Sequence, residues 1–418
     1  MKTYLVGGAV RDRLLGLTVN EKDWVVIGSS IEEMLAHGYQ QVGKDFPVFL
    51  HPDTKEEYAL ARTERKTGRG YKGFAVDFEP TVSLRDDLLR RDLTINAMAL
   101  DETGNLIDPY QGTVDLSKKI LRHVSDAFVE DPLRVLRVAR FAARFHTLGF
   151  IIANETLELM KAIVNQGEME ELVAERVWIE TLKALKTEQP SVYFNVLKSC
   201  GALKVLFPEV DKLFGIPQPE KYHPEIDTGV HTMMVLDQAA RLSADPVVRW
   251  AALVHDLGKG ETPPDLWPKH HGHEALSVTL NKKLSDRLRI PKDFSELADL
   301  VAKNHGKVHK VFELKASTLI DMLNSINIWR NINRLEPFLL ACEADSRGRS
   351  GYEDSDYPQA AFIKEVVEAC KMIDVKPFLD KGLQGGEIAE AIRGARIKIA
   401  NQLKMKRMNQ SGSNKQDQ

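Results

Sequence analysis

The first 28 residues constrain the fold most. Tyr4-Leu-Val reads as a short buried strand, Gly7-Gly8 as a turn free of side chains, and Val10 to Gly16 as a short helix with Gly16 just past its end. A loop then leads to Glu21-Lys-Asp23 at the mouth of a second apolar strand, Trp24-Val-Val-Ile27. Residues i and i+2 of a strand face the same way, so Glu21 and Asp23 are expected to share a ligand. A glycine turn aimed at phosphates, Arg11 beside it and a carboxylate pair for Mg2+ describe a nucleotidyl-transfer site. Alone the signal is weak, because many strand–turn–helix units look like this.

The chain downstream changes character once. Up to about His123, short strands (Pro47–His51 and Glu57–Ala61 among them) alternate with short helices such as Ile31–His37, a mixed α/β pattern with little room for a dinucleotide-binding unit. Lys66–Gly73 is basic and Gly-rich, and reads equally as a mobile loop beside a nucleotide site or as a plain hairpin tip. The mixed-charge stretch Leu84–Ala97, taken by itself, reads as a solvated helix face. From Asp131 onward the periodicity is helical. Asp131-Pro132 is a helix start, an N-cap acceptor followed by proline at the first helical position. Val135, Val138, Phe141, Ala142 and Phe145 share one face of that helix, while Arg134, Arg137, Arg140 and Arg144 form a stripe along its flank. With only Glu130 and Asp131 nearby to pair with them, the arginines point to an anionic partner.

Composition excludes some classes. With 418 residues, 43% hydrophobic and 28% charged, the chain has the make-up of a soluble protein of two or three domains. Its three cysteines (Cys200, Cys342, Cys370) form no C-x-x-C, which fits a reducing cytoplasm. No segment reads as a signal peptide or approaches the roughly 20 apolar residues of a membrane span. A net charge of −3 means that any nucleic-acid surface is local. The segment from Met405 is polar and reads as disordered.

Eight of the 12 histidines fall between residues 223 and 309. His255-Asp256 ends the apolar helix Val247–Val254, with Gly258 as an expected C′ residue. His231 begins another helix, His305 sits late in a third, and Asp345 follows an apolar run. Adjacent His-Asp with further His and Asp from other helices matches an imidazole–carboxylate site for a divalent transition metal that activates water.

The motif Gly7-Gly8-x-Val-Arg11-Asp12-x-Leu-Leu-Gly16 with Glu21 and Asp23 resembles the head of the DNA polymerase β-type nucleotidyltransferases. Arg90-Arg91-Asp92-Leu-Thr-Ile-Asn96 and Glu130-Asp131-Pro-Leu-Arg134 resemble the class II branch, which holds CCA-adding enzymes and bacterial poly(A) polymerases. His231, His255-Asp256 and Asp345 resemble the signature of HD-type metal phosphohydrolases. Joined in one chain, they resemble the bacterial multifunctional CCA protein family.

That resemblance implies an α+β chain with a small mixed sheet in its head, an all-α neck and body, and an all-α HD domain. The expected limits are 1–140, 141–225 and 226–350, with a helical tail over 351–418. It implies addition of C, C and A to the 3′ end of tRNA from CTP and ATP, plus 2′,3′-cyclic phosphodiesterase, 2′-nucleotidase and phosphatase activity. Glu21 and Asp23 would hold Mg2+; Gly8, Arg11, Arg91, Asp131, Arg134, Arg137 and Arg140 would bind nucleotide, Asp131 and Arg134 at the base edge. His231, His255, Asp256 and Asp345 would hold a divalent metal such as Ni2+, with His255 and Asp256 catalytic. The family's first metal carboxylate is usually Asp, and Glu21 departs from it. Monomer and homodimer both remain open, as do two other readings: a poly(A) polymerase and an RNA-binding protein with an inactive head.

Overall fold

The computed structural model describes residues 1–42, 48–66 and 74–413. Two compact units make up the chain, Met1–Pro208 and Glu209–Gln418.

In the first unit β1 (Lys2–Val6), α1 (Gly8–Leu14), β2 (Asp23–Ile27), α2 (Ile31–Ala36), β3 (Gln40–Gln41), β4 (Val48–Leu50) and β5 (Glu57–Leu60) follow in order. β6 (Thr63–Lys66) and β7 (Phe74–Asp77) pair antiparallel with each other; the basic segment Lys66–Gly73, expected as a mobile loop or a hairpin tip, lies from residue 67 to 73 outside the described residues. α3 (Leu84–Leu89), β8 (Ala99–Leu100), β9 (Leu106–Ile107), α4 (Gly112–Lys118) and β10 (Ile120–Leu121) complete the head. One sheet in the order β3-β4-β5-β2-β1-β8-β9 carries it, mixed because β2 and β5 run parallel while the other pairs are antiparallel. Alternation along β2 explains its central place. Val25 packs with Val6, Leu88 and Ala97 on one face, and Val26 packs with Met34, Phe49 and Leu60 on the other.

Helix α1 begins two residues earlier than the sequence suggests. Gly7 alone makes the turn at φ +68, a conformation that disfavours side chains, and frees Gly8 to enter the helix. After the head come α5 (Leu133–Phe145), β11 (Ile151–Ile152), α6 (Asn154–Asn165), α7 (Ala174–Leu185), α8 (Ser191–Ser199), α9 (Ala202–Leu206) and α10 (Pro208–Asp211). Asp131 caps α5 as its residue type predicts: its Oδ1 accepts from the Leu133 amide at 3.0 Å, a contact worth about 1 kcal/mol.

Helices α11 (Thr228–Leu242), α12 (Pro246–Val254), α13 (His273–Leu288), α14 (Lys292–His309), α15 (Ala316–Ser325), α16 (Leu335–Arg347), α17 (Pro358–Lys371), α18 (Lys376–Leu379) and α19 (Gly386–Ser413) build the second unit. Asp227 and Asp245 cap α11 and α12, with Pro246 at the first helical position. Val235, Ala239, Ala252 and Ala344 form a core of mostly small side chains through which α11, α12 and α16 approach closely. No helix is long and apolar enough to cross a membrane among the described residues.

Two expectations need correction here. Gly258 is not a C′ residue; it lies in a 3₁₀ turn (Leu257–Glu261), and a Cβ there would sit 2.1 Å from the His273 carbonyl, so glycine lets α13 pack against the turn after Asp256. The polar tail is not disordered over its first part, because α19 runs to Ser413. Arg393 grips Asp321 through two nitrogens at 2.8 and 2.9 Å, Arg396 stacks over Trp329 at 3.8 Å, and Ala400 is buried. A helix so anchored extends at little further cost, even through polar sequence. Residues 414–418 lie outside the described residues.

Candidate active sites

The strand register builds the first site. Val6 pairs with Asp23, which sets the Gly7-Gly8 turn beside the carboxylate, and Asp23 pairs with Glu57 on its other side. β2 begins at Asp23, so Glu21 precedes the strand and the same-face argument for the pair does not hold. The two acids still feel each other. Partial burial and the like charge of Glu21 raise the Asp23 carboxyl, against the opposing pull of Arg91 and Arg137.

Arg91 closes over the turn. A Cβ on Gly7 would lie 2.7 Å from its Nη1, so this position needs glycine for space as well as for φ. Asp87, wholly buried, holds Arg90 at 2.6 Å and Arg91 at 3.1 Å. Leu84–Arg91 is therefore not a solvated helix face, because its central acid is the buried anchor of two guanidinium groups. Sequence reasoning missed Asp87, and an acid three and four residues before two arginines was the available signal.

The arginine stripe meets a correction too. Its partners come from other elements that local sequence does not show. Arg137 pairs with Asp92 at 2.7 Å, Arg140 with Glu180 at 2.5 Å and Arg144 with Asp12 at 2.8 Å, while Arg134 donates to the carbonyls of Ala127 and Arg90. Arg11 is buried against the rings of Phe141 and Phe145, and its donors go to Asp12 and Asn96. Asn96 in turn donates to Asp92. A continuous chain Arg144–Asp12–Arg11–Asn96–Asp92–Arg137 thus ties α1 and the segment after α3 to α5. Helix α7 adds two residues the sequence reading did not single out. Arg176 bonds Asp131 Oδ2 at 3.2 Å, and Glu180, one turn later, holds Arg140.

Two predictions arise here. Glu180→Gln leaves the buried Arg140 without its counter-charge, which costs about 3 kcal/mol or more. At about 2–4 °C per kcal/mol for a unit of this size, thermal unfolding of the first unit should fall by roughly 6–12 °C. The second concerns pH. Burial alone would raise Asp92, but Arg137 and the Asn96 hydrogen bond outweigh it and hold the carboxyl well below its ordinary range. A depressed folded value stabilises above the unfolded value of about 3.9 and loses that contribution as pH falls through the folded value. The melting temperatures of wild type and Asp92→Asn should therefore differ by the full amount above about pH 4, and the difference should shrink only as pH falls below that toward the folded value.

The second site brings all four of its sequence-predicted residues together. His231 Nε2 is 3.1 Å and His255 Nε2 is 3.4 Å from Asp345 Oδ1, and His255 Nε2 is 3.2 Å from Asp256 Oδ2. His273 and His305 join them, each facing Asp256 Oδ1 at 3.2 and 3.4 Å. The Nδ1 atoms of His231, His255, His273 and His305 all sit on backbone carbonyls, of Gly348, Ala252, His270 and Val301, at 2.7–3.0 Å. Donation there fixes the tautomer and turns each Nε2 toward the carboxylates, the arrangement of metal-binding imidazoles. Glu225 stands behind His231 and His309 behind Asp345, the latter oriented by Tyr357.

The electrostatics mark a centre short of positive charge. Burial would lower His255 and raise the two aspartates. Their mutual attraction prevails, pushing His255 up to about 10 and both carboxyls well below their ordinary range. His305, for which burial prevails, is pushed down to about 4. His255 Nε2, Asp256 Oδ1 and His273 Nε2 are buried and meet other atoms of this cluster at 3.2–3.4 Å, but among the described residues none has a well-aligned hydrogen bond. Buried polar atoms left like this, converging at ligand distance, fit a divalent cation.

Comparison with known proteins agrees with this division. Residues 3–122 match the poly(A) polymerase head domain, 149–214 the probable RNA and SrmB-binding site of polymerase A, and 228–324 the HD domain. The multifunctional CCA protein of Thioalkalivibrio sulfidiphilus is 59% identical over 97% of this chain and 99% of its own length. That of Hahella chejuensis is 57% identical over 97% and 96%. Among solved structures, a CCA-adding enzyme in complex with ATP superposes with a TM-score of 0.65 at 20% identity, covering 97% of this chain and 89% of that one. The Thermotoga maritima CCA-adding enzyme complexed with tRNA gives 0.63 at 21%, covering 96% and 90%; both show a shared fold. With relatives this similar over nearly its whole length, the chain belongs to the family of multifunctional CCA proteins.

Proposed function

We propose that the first unit adds C, C and A in turn to the 3′ end of tRNA from CTP and ATP, without a nucleic-acid template. The second unit, in this reading, hydrolyses phosphate esters of ribose, including 2′,3′-cyclic phosphates and 2′-phosphates. The single observation that carries the first half is the register Val6–Asp23, which brings the Gly7-Gly8 turn, Arg91 and the carboxylates into one place. The names of the relatives support the same activity.

In the reaction the RNA 3′-oxygen forms a bond to the α-phosphorus while the α–β bond breaks and pyrophosphate leaves. Glu21 and Asp23 are all-oxygen donors suited to Mg2+, which when bound neutralises the triphosphate and favours the ionised hydroxyl. Gly8 leaves its backbone open to the phosphates and Arg91 contributes a planar donor fork. Arg137 and Arg140, held by Asp92 and Glu180, carry the nucleotide side of α5. Asp131 and Arg134 stand at the base edge. Asp131 gives one oxygen to its helix cap and shares the other with Arg176, so Arg176 belongs to that edge as well.

In the second unit His231, His255, Asp256 and Asp345 hold a divalent transition metal such as Ni2+, which when bound supplies an activated water. With two imidazoles among the four donors, the set favours such a metal over Mg2+. Lys259, 2.6 Å from Asp256, adds a cation toward the phosphate.

The test is nucleotide selection. With tRNA lacking its 3′-terminal CCA, label should enter from CTP and ATP and not from GTP or UTP. Equal use of all four nucleotides would sink the reading.

A further inference from the structure

We propose that the hydrolytic centre of the second unit carries a nucleoside-binding rim, in which Tyr222 and Tyr352 stack the base of a ribonucleotide ester while Lys221 and Arg349 draw in its phosphate. The proposal deepens the hydrolytic reading above and rests on it.

Two segments make the rim. One is a strap, residues 217–227, closed at its base by a bridge between Pro217 and Asp227. Inside it the Gln218 amide donates to the Ile226 carbonyl at 2.7 Å, and the Tyr222 and His223 amides both donate to the Pro219 carbonyl. The other is the turn from Gly348 to Tyr352 that follows α16. The strap is fastened on both sides of the centre. On one side its buried Gln218 accepts from Lys259, which pairs with Asp256. On the other, Glu225 accepts from the Ser350 amide at 3.4 Å, two residues past the Gly348 carbonyl that backs His231. Between them the ring of His223 meets that of His231 edge to face at 4.7 Å.

The strap is held stiff. Pro217, Pro219 and Pro224 limit its backbone freedom. Ile226 holds φ +59, an outlier for a β-branched residue. Strain of this kind persists where the surroundings impose it, and it gathers at functional sites. Here it returns the chain to the base of the strap and keeps Glu225 on His223 and His231 at 3.1 and 2.9 Å.

On this support stand two aromatic rings that the fold leaves uncovered, Tyr222 at 55% and Tyr352 at 42% exposure. Arg349 links them. Its Nη1 donates to the Tyr222 carbonyl at 3.3 Å, its Nε donates to the Ser346 carbonyl at 2.8 Å, and its guanidinium lies 4.5 Å over the Tyr352 ring. Lys221 Nζ stands 5.4 Å from the centre of the Tyr222 ring. Among the described residues neither cation pairs with a carboxylate. The acids of the turn are engaged elsewhere, Glu353 with the Gly351 amide and Asp354 with Arg241. Exposed rings flanked by unpaired cations are what single-stranded RNA requires of a surface, stacking for the base and attraction for the phosphate. The base can belong to a mononucleotide or to the last residue of an RNA. The rim reads what the two share, a terminal nucleoside with phosphate on its ribose.

The experiment compares kcat/KM of the Ni2+-loaded full chain on three esters: adenosine 2′,3′-cyclic phosphate, a short RNA ending in a 2′,3′-cyclic phosphate, and glycerol 1,2-cyclic phosphate, which has the same ring ester and no base. Wild type should favour both nucleotide esters over the glycerol ester. In Tyr222→Ala and in Tyr352→Ala that preference should fall about tenfold, mostly through KM. Tyr222→Phe should restore it, since the ring and not the hydroxyl does the stacking. Equal kcat/KM for all three esters in wild type, or a preference untouched in both alanine variants, would overturn the rim. A loss confined to the RNA ester would overturn it too, by assigning the tyrosines to the chain upstream of the terminal base. No hydrolysis of any ester would overturn the hydrolytic reading instead. Calorimetric binding of adenosine 2′-monophosphate then decides the rim: Tyr222→Ala should weaken it about tenfold, and unchanged affinity would rule the rim out.

Discussion

Asp23→Ala is expected to lower nucleotide addition about a thousandfold or more while leaving phosphate-ester hydrolysis by the second unit within twofold of wild type. The size follows from the role. A metal clamp on a transferring phosphoryl group is worth several kcal/mol of transition-state stabilisation, and each 1.4 kcal/mol is a factor of ten. The carboxyl stands at the start of β2, so its loss removes no core packing and the melting temperature should change little. Steady-state incorporation of labelled CTP, beside a thermal melt, separates the two effects. Glu21→Asp supplies the control: a shorter arm with the same charge should retain activity, whereas Glu21→Ala should not. If Asp23→Ala keeps incorporation within tenfold of wild type, the carboxylates are not the metal site.

His255→Ala is expected to do the reverse. Hydrolysis of a 2′,3′-cyclic nucleotide should fall about a thousandfold or more, because the imidazole lies 3.2 Å and 3.4 Å from the two carboxylates that would share its metal. CCA addition should persist. The side chain is wholly buried, so part of the effect is structural, and measuring Ni2+ binding on the folded variant distinguishes the causes. Retained hydrolysis with lost Ni2+ would place the chemistry elsewhere.

Much of this was legible in the sequence, for identifiable reasons. β1, β2 and β5 announce themselves as short apolar runs, and Asp131-Pro132 as a helix start, because those signals are local. The four expected ligands of the second site also converge: His231 and Asp345 lie within α11 and α16, and His255-Asp256 directly follows α12. What stayed hidden depends on distant partners. The arginines of α5 looked unpaired because Asp12, Asp92 and Glu180 lie 132, 45 and 40 residues away. Asp87 looked solvent-facing because nothing local marks its burial. Gly258 looked like a helix terminator because the carbonyl it accommodates belongs to His273, on another element. His273 and His305 were visible as histidines, but their aim at Asp256 Oδ1 came only with the fold.

The central claim is tested most directly at the ends of the RNA. Wild-type protein incubated with tRNA lacking its 3′-terminal CCA, in CTP and ATP together, should yield molecules whose sequenced 3′ ends read C, then C, then A, and grow no further. A tract of A added without the two C residues would contradict the account and assign the first unit to poly(A) synthesis.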